Sequence, residues 1–247
     1  MTIAARFHRA LFVAGLFAVF GIAPTFAAAP SPQAAPTTQV PGYYRFTLGT
    51  FHVTALSDGT IDIPFDALLI GRTPNQTSAS FRAAYARNFL KLPYETSVNA
   101  YLVDTGTRVI LIDTGAGTFY GPTLGNLLVN LRAAGYQPGQ VSDVLITHMH
   151  SDHIGGLLDH GAMAFPNATV WVGKADYDFW LDPANLGKAD PSVQDAFATA
   201  GATFAPYIAA HRVQTIVGNS NLYPGIDAIA SPGHSPGHHF YAIQSAG

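Results

Sequence analysis

The stretch THMHSDHIGG, residues 147–156, places three histidines and one aspartate within six residues. These side chains are His148, His150, Asp152 and His153. The overlapping segment DVLITH, residues 143–148, predicts a buried strand that ends in this cluster. His148 and His150 share a face of an extended chain, and the residues after them predict the first turn of a helix, where aspartate is favoured. Zinc accepts imidazole and carboxylate ligands where cysteine is absent, so the stretch predicts a metal site at a strand end.

A second histidine motif, SPGHSPGHH at residues 231–239, follows another predicted strand. Its prolines and glycines predict a tight turn that directs a histidine inward, and the candidates are His234 and His238. Either histidine taken alone fits a purely structural position equally well. The first cluster upstream favours a metal ligand from this turn.

The composition excludes several classes of protein. The chain of 247 residues has no cysteine, so disulfides and thiolate ligands are absent. Its hydrophobic content of 48% is enough for a packed core. The net charge is −3 and no basic run follows residue 10, which excludes nucleic acid as a partner because phosphate binding requires clustered cations.

The first 29 residues predict a secretory signal peptide. Arg6 and Arg9 precede an apolar run at residues 10–23, and small residues follow at 27–29, where cleavage is expected. A membrane anchor is the alternative, but the apolar run is too short to span a bilayer comfortably. We therefore expect a periplasmic or secreted protein without a stable membrane anchor.

The rest of the chain predicts one layered α/β domain. Residues 30–42 are rich in Pro, Ala and Thr and predict a flexible leader, and the domain is expected to occupy residues 43–247. Strands alternate with helices and no repeat is visible, which favours sheets covered by helices. The predicted strands are 44–49, 51–59, 97–106, 108–117, 143–148, 168–173, 213–217, 226–231 and 238–244, and the predicted helices are 123–136, 174–181 and 191–209.

Three motifs together resemble the metallo-β-lactamase superfamily: HMHSDH, GHSPGH and the preceding LIDTGAG at residues 111–117. The resemblance implies an αββα sandwich with two divalent metal ions, expected to be zinc, at its edge. By motif position, His148, His150 and His234 would bind one ion, and Asp152 and His153 the other. His238 would support its turn. Asp113 would either hold a ligand from behind or cap its own turn.

Within that superfamily the chain resembles the methyl parathion hydrolases and related periplasmic-type lactonases. The segments that carry the likeness are ETSVNAYLVDTGTRVILIDTGAG, GPTLGNLLVNLRAAGYQP, AFPNATVWV and DFWL. The resemblance implies a hydrolase in which a metal-bound hydroxide attacks a lactone or ester carbonyl or an organophosphate triester, with Asp152 as the catalytic residue that orients the hydroxide. Tyr120, Trp180 and Phe197 would line the pocket for a small-molecule substrate, and core packing is the alternative for each. Tyr120 stands where the pattern has Phe, which makes the pocket more polar.

The sequence departs from the family pattern after the second motif. The pattern continues with a bridging Asp and a further His, but no acidic residue follows Asp227 and no histidine follows His239. We therefore expect a C-terminally truncated fragment in which the second half of the sandwich is incomplete and the second metal site lacks two ligands. The alternative is a complete chain that has lost its function. Two alternatives stay open, a β-lactamase and a non-catalytic module that binds one metal ion. A homodimer through exposed aromatics near residues 119 and 120 is also possible.

Overall fold

The computed structural model describes residues 40–69, 75–189, 191 and 194–246. The predicted signal peptide and most of the leader lie outside these residues. The strands are β1 (Tyr43–Leu48), β2 (Phe51–Ile63), β3 (Tyr94–Asp104), β4 (Val109–Ile112), β5 (Asp143–Leu145), β6 (Leu158–Asp159), β7 (Ala162–Met163), β8 (Thr169–Gly173), β9 (Val213–Ile216), β10 (Ser220–Tyr223), β11 (Ile226–Ala230) and β12 (His239–Ile243). The helices are α1 (Phe65–Leu68), α2 (Ser78–Arg87), α3 (Leu127–Ala133), α4 (Ser151–Ile154), α5 (Lys174–Trp180), α6 (Pro183–Leu186) and α7 (Gln194–Ala209), with 3₁₀ turns at Pro138–Gln140 and Gly155–Leu157.

Two sheets form the centre of the fold. The larger has seven strands in the order β1-β2-β3-β4-β5-β8-β9, and the smaller has three in the order β10-β11-β12. Strands β1 to β4 are antiparallel, as the two predicted hairpins require, whereas β4, β5, β8 and β9 run parallel to one another. Parallel neighbours need long crossovers. Helix α3 lies in the crossover from β4 to β5, and α5 to α7 lie in the crossover from β8 to β9.

Both faces of the central strands β4 and β5 are covered, as the apolar run of β4 predicts. Side chains alternate along each strand, so neighbouring residues enter different cores. Leu111 and Val144 join the core shared with α3 and α7, whereas Ile110 and Leu145 join the core shared with the small sheet. These layers match the predicted metallo-β-lactamase architecture. On the outer face of the small sheet, Ile229 and Phe240 pair across β11 and β12 and are 41% and 58% exposed.

The strand that precedes the first histidine motif is shorter than predicted. Strand β5 ends at Leu145 and not at His148. Beyond it, aspartate side chains take the backbone donors: Thr147 N–H donates to Asp113 Oδ1 at 2.8 Å, and Met149 N–H donates to Asp176 Oδ2 at 3.0 Å. The sheet ladder therefore stops, and residues 146–150 lie at the sheet edge without regular structure.

Other elements differ from the prediction for local reasons. Helices α1 and α2 were not predicted, and α2 begins with a capping box in which Thr77 Oγ1 accepts from Ser80 N–H. Strand β10, with the sequence SNLY, has no apolar alternation to reveal it. The predicted helices over 174–181 and 191–209 are found as α5 and α7. No helix within the described ranges is long and apolar enough to cross a membrane.

Candidate metal centre

The three histidines predicted to share a metal ion meet at the edge of the large sheet. His148 Nε2 lies 3.0 Å from His150 Nδ1 and 3.0 Å from His234 Nε2. One ring nitrogen from each of the three lies within 4.8 Å of the others. His148 and His150 follow β5, whereas His234 arrives on the turn between β11 and β12. The geometry therefore brings together residues that lie 86 positions apart in the chain.

The surroundings of His148 and His150 favour the neutral imidazole. Burial, followed by the charges of the neighbouring histidines, holds the pKa of His148 far below its ordinary value. Burial and His234 likewise lower the pKa of His150. Neutral imidazole offers a lone pair to a metal ion. Tetrahedral zinc with Zn–N bonds of about 2.0–2.1 Å needs donors roughly 3.3 Å apart, so the three nitrogens fit one divalent ion.

The second predicted pair lies directly beside this cluster. The ring of His153 lies 4.0 Å from that of His148, and His153 Nε2 lies 3.3 Å from Asp152 Oδ2. Burial opposes protonation of His153, but hydrogen bonds to Asp113 and Asp152 raise its pKa to about 10. Burial opposes ionisation of Asp152, but the hydrogen bond to His153 lowers its pKa. One carboxylate and one imidazole therefore face the same space, as a second ion would require.

Asp113 holds this pair from behind. Its carboxylate accepts from Thr147 N–H, Thr147 Oγ1 and His153 Nδ1, each at 2.8 Å. The residue is 6% exposed and has a φ of +59°, a left-handed conformation that Asp tolerates better than most residues. Of the two roles predicted for Asp113, the contacts therefore favour the one in which it holds a ligand from behind.

His238 closes the second motif and also faces the cluster. Its backbone carbonyl accepts from Ser231 N–H at 2.8 Å, which ties the two ends of the turn together. Its ring lies 5.2 Å from that of His148, and its Nδ1 is buried and has no hydrogen-bond partner in the described part of the chain. Burial lowers its pKa, followed by the charge of His234.

The three aromatic residues predicted to line a pocket lie in two places. Trp180 packs edge-to-face against His150, with centroids 5.5 Å apart, and its ring lies 4.6 Å from that of Phe197. Both are buried in the larger core, at 8% and 5% exposure. Tyr120 is 46% exposed on the loop before α3. Burial raises its pKa, its hydroxyl is hydrogen-bonded to Ser151, and the charge of Asp152 acts in the same direction as burial.

Sequence reasoning missed Asp176, which is fully buried behind the centre. It accepts hydrogen bonds from Met149, Ser235 and Gly237, and so joins both histidine motifs to α5. The only signal in the sequence was an acidic residue in the predicted helix KADYDFWL. Asp178 in the same helix gives the same signal but is exposed, so the signal does not single out Asp176.

Comparisons with known proteins agree with this geometry. Residues 93–247 match the family model of the metallo-beta-lactamase superfamily. The chain therefore belongs to that superfamily, as its three motifs predicted.

Relatives within the superfamily are hydrolases, and several are lactonases. The structure of the hydrolase AbOPH of the beta lactamase superfamily is 36% identical, with a TM-score of 0.74 over 84% of this chain and 71% of its own. AidC, a dizinc quorum-quenching lactonase in complex with a product, is 27% identical, with a TM-score of 0.66 over 83% and 71%. An N-acyl homoserine lactonase of Bacillus thuringiensis is 28% identical over 59% of this chain and 57% of its own length. The chain thus spans little more than half the length of that lactonase.

Proposed function

We propose that this protein is a metal-dependent hydrolase that opens the ring of a lactone with an apolar side group, such as an N-acyl homoserine lactone. The observation that carries the proposal is the convergence of three histidine nitrogens at the sheet edge, next to an Asp–His pair. Kinship with N-acyl homoserine lactonases supports the lactone as substrate class. The dizinc lactonase among the structural neighbours supports zinc and a second ion.

We assign a separate role to each residue of the proposed metal centre. His148, His150 and His234 would hold one ion, and Asp152 and His153 a second. A divalent ion supplies Lewis acidity and lowers the pKa of water to about 7, so that hydroxide is available at neutral pH. Asp152 has a lowered pKa and its carboxylate is therefore ionised at neutral pH, which suits it to accept a hydrogen bond from the attacking nucleophile and orient it.

The aromatic residues suit the apolar part of such a substrate. Trp180 and Phe197 form a buried aromatic wall beside His150, which limits the access of water from that side. Tyr120 is half exposed near Asp152 and carries a phenol that can donate a hydrogen bond to a carbonyl oxygen. A substrate that combines an acyl chain with a polar ring matches both features.

An organophosphate triester is the second candidate substrate. The cluster of Phe179, Trp180 and Phe197, with centroids 4.6–5.3 Å apart, suits an aromatic leaving group. The phenol of Tyr120 favours the lactone instead, because its hydroxyl would find no acceptor on an apolar leaving group. A β-lactam and simple metal binding without turnover are the remaining alternatives.

The test compares metal content and turnover in the same samples. The zinc-loaded full chain is assayed with an N-acyl homoserine lactone, a phosphotriester and a chromogenic cephalosporin, before and after prolonged chelation. We expect lactone hydrolysis that disappears with zinc and returns when zinc is restored. His150→Ala should lose zinc and activity, whereas His160→Ala, which changes a side chain that is 97% exposed, should keep both. Lactone hydrolysis that persists after chelation would contradict the proposal, and zinc binding without any turnover would favour the binding module.

Cellular location and assembly are separate proposals. Residues 1–29 support export to the periplasm or medium, which fractionation of the native host with N-terminal sequencing would test. Phe119 and Tyr120 are 43% and 46% exposed and would serve a homodimer interface as the alternative to the substrate pocket, which light scattering on the purified chain would test.

A further inference from the structure

Asp176 is a buried carboxylate that connects three separate segments of the chain. It is 0% exposed. Its Oδ2 accepts from Met149 N–H at 3.0 Å and from Ser235 Oγ at 2.8 Å, and its Oδ1 accepts from Gly237 N–H at 2.6 Å. None of the ion pairs found among the described residues includes it. Its charge is therefore balanced by three charge-assisted hydrogen bonds, which are stronger than neutral ones.

The donors of these bonds adjoin the metal-binding histidines. Met149 N–H belongs to the peptide unit that follows His148, and the same residue precedes His150. Ser235 follows His234 directly. One carboxylate oxygen thus holds both segments at once, and the Nε2 atoms of His148 and His234 lie 3.0 Å apart in front of it.

Helix capping does not explain these contacts. Asp176 lies in the first turn of α5, where the helix dipole favours a negative charge. However, all three of its hydrogen bonds go to residues outside α5. The N-cap residue of this helix is Gly173, not Asp176. The carboxylate is therefore directed away from the helix and toward the two histidine motifs.

Two glycines allow this close approach. A Cβ on Gly237 would lie 2.3 Å from Asp176 N, and a Cβ on Gly173 would lie 2.0 Å from Gly237 O. Contacts of that length do not occur, so a side chain at either position would push the second motif away from α5. The second motif is thus packed backbone against backbone on the start of α5, which leaves little freedom in the position of His234.

We infer that Asp176 is a positioning residue that fixes the spacing of His148 and His234 for metal binding, an inference that rests on the proposed metal-dependent function. A carboxylate behind the ligands sets their geometry before the ion arrives. Contacts of this kind around metal ligands typically change metal affinity by about 10- to 100-fold when they are removed.

The variant Asp176→Asn tests the inference with little change in shape. An amide offers one acceptor oxygen, and its NH₂ group must face at least one of the donors Met149, Ser235 or Gly237. We expect zinc affinity, measured on the full chain by competition with a chromophoric chelator, to fall by about 10- to 100-fold. In the cobalt-substituted protein, the visible absorption of the tetrahedral site should weaken or shift.

Asp58→Asn is the matched control. Asp58 is also 0% exposed and accepts three backbone N–H groups, from Ala116, Gly125 and Leu127, but it touches neither histidine motif. This variant should lose stability but keep wild-type zinc affinity and the wild-type cobalt spectrum. An equal loss of affinity in both variants would mean that Asp176 acts only through overall stability, and would overturn the inference.

Other outcomes separate this inference from the proposed function. Wild-type zinc affinity in Asp176→Asn overturns the inference and leaves the hydrolase proposal intact, whereas a wild-type chain that binds no zinc overturns both. If Asp176→Asn does not fold, the variant Ser235→Ala tests the inference instead. It removes one donor and little volume, and we expect a smaller but measurable loss of zinc affinity. Unchanged affinity in Ser235→Ala would then overturn the inference.

Discussion

Replacement of Asp113 gives the sharpest prediction about the proposed second metal ion. In Asp113→Asn, the amide oxygen can keep the hydrogen bond from Thr147 N–H, for which the described residues offer no other bonded acceptor. The amide nitrogen then takes the place of Oδ2 and donates to His153 Nδ1. A ring that accepts at Nδ1 carries its proton on Nε2. That nitrogen is the one that faces Asp152, so the Asn variant places a proton where the second ion needs a lone pair.

The expected magnitudes follow from these contacts. In the Asn variant the hydroxyl of Thr147 loses its acceptor, Asp113 Oδ2. Loss of a partner for a buried polar group costs about 1–3 kcal/mol, so this variant should lose stability in that range. Loss of a carboxylate behind a histidine ligand typically lowers metal affinity by about 10- to 100-fold. Asp113→Ala loses the same carboxylate, and it also places alanine at a φ of +59°, which adds about 1–2 kcal/mol of backbone strain.

Two measurements separate the effects. Urea denaturation in the presence of chelator gives the stability of the metal-free chain, and competition with a chromophoric chelator gives the affinities of both ions. We expect the second ion to bind equally weakly to both variants, whereas stability should be lower in the Ala variant. The reasoning fails if the Asn variant binds both ions as tightly as the wild type. It also fails if affinity falls further in the Ala variant in step with stability.

Three further predictions concern packing and charge, each measured by urea denaturation. Burial and the hydrogen bond to Asp143 raise the pKa of Tyr223 to about 12, above its ordinary value of 10.0. The stability from this contact is therefore complete below pH 10 and lost as the pH rises through 12, and Tyr223→Phe should show less of that fall. Trp180→Ala should cost about 3–5 kcal/mol because it empties a buried site. Gly156→Ala places a Cβ 1.9 Å from a backbone oxygen and should cost about 1–3 kcal/mol. Gly201→Ala, with open space around it in α7, is its control and should be stabilising by about 0.5–1 kcal/mol. Equal effects of the two glycine variants would contradict the packing argument.

The clustering of the candidate metal ligands was predictable because their spacing carries geometric information. His148 and His150 are two positions apart on an extended segment and therefore share one face. Asp152 and His153 follow at the start of α4, so local backbone rules place all four side chains near one point. His234 required the resemblance, because nothing in local periodicity says that a turn 86 residues later returns to the same place. The hairpins and the buried parallel strands were predictable for the same reason, since alternation and apolar runs reflect burial directly.

The residues behind the ligands were not predictable from such patterns. Asp176 and Asp178 are two positions apart in α5 and so point roughly 200° away from each other around the helix. Asp178 faces solvent and pairs with Lys174 at 2.7 Å, whereas Asp176 faces the histidine motifs. Which side of α5 lies against the second motif depends on the packing of the whole domain. The premature end of β5 has the same origin, because the carboxylates that take over its backbone donors come from distant segments.

These buried aspartates explain how an irregular backbone can form a precise site. Asp58, Asp113 and Asp176 are 0%, 6% and 0% exposed, and each accepts backbone N–H groups from segments that lie outside helices and strands or at their ends. Buried donors that lack a ladder partner need such acceptors. Asp113 and Asp176 also place negative charge behind the histidine cluster, which favours a cation in front of it. Removal of bound metal should therefore loosen these loops before it affects the sheets, and hydrogen exchange in the chelated chain should rise first at residues 146–150 and 232–238.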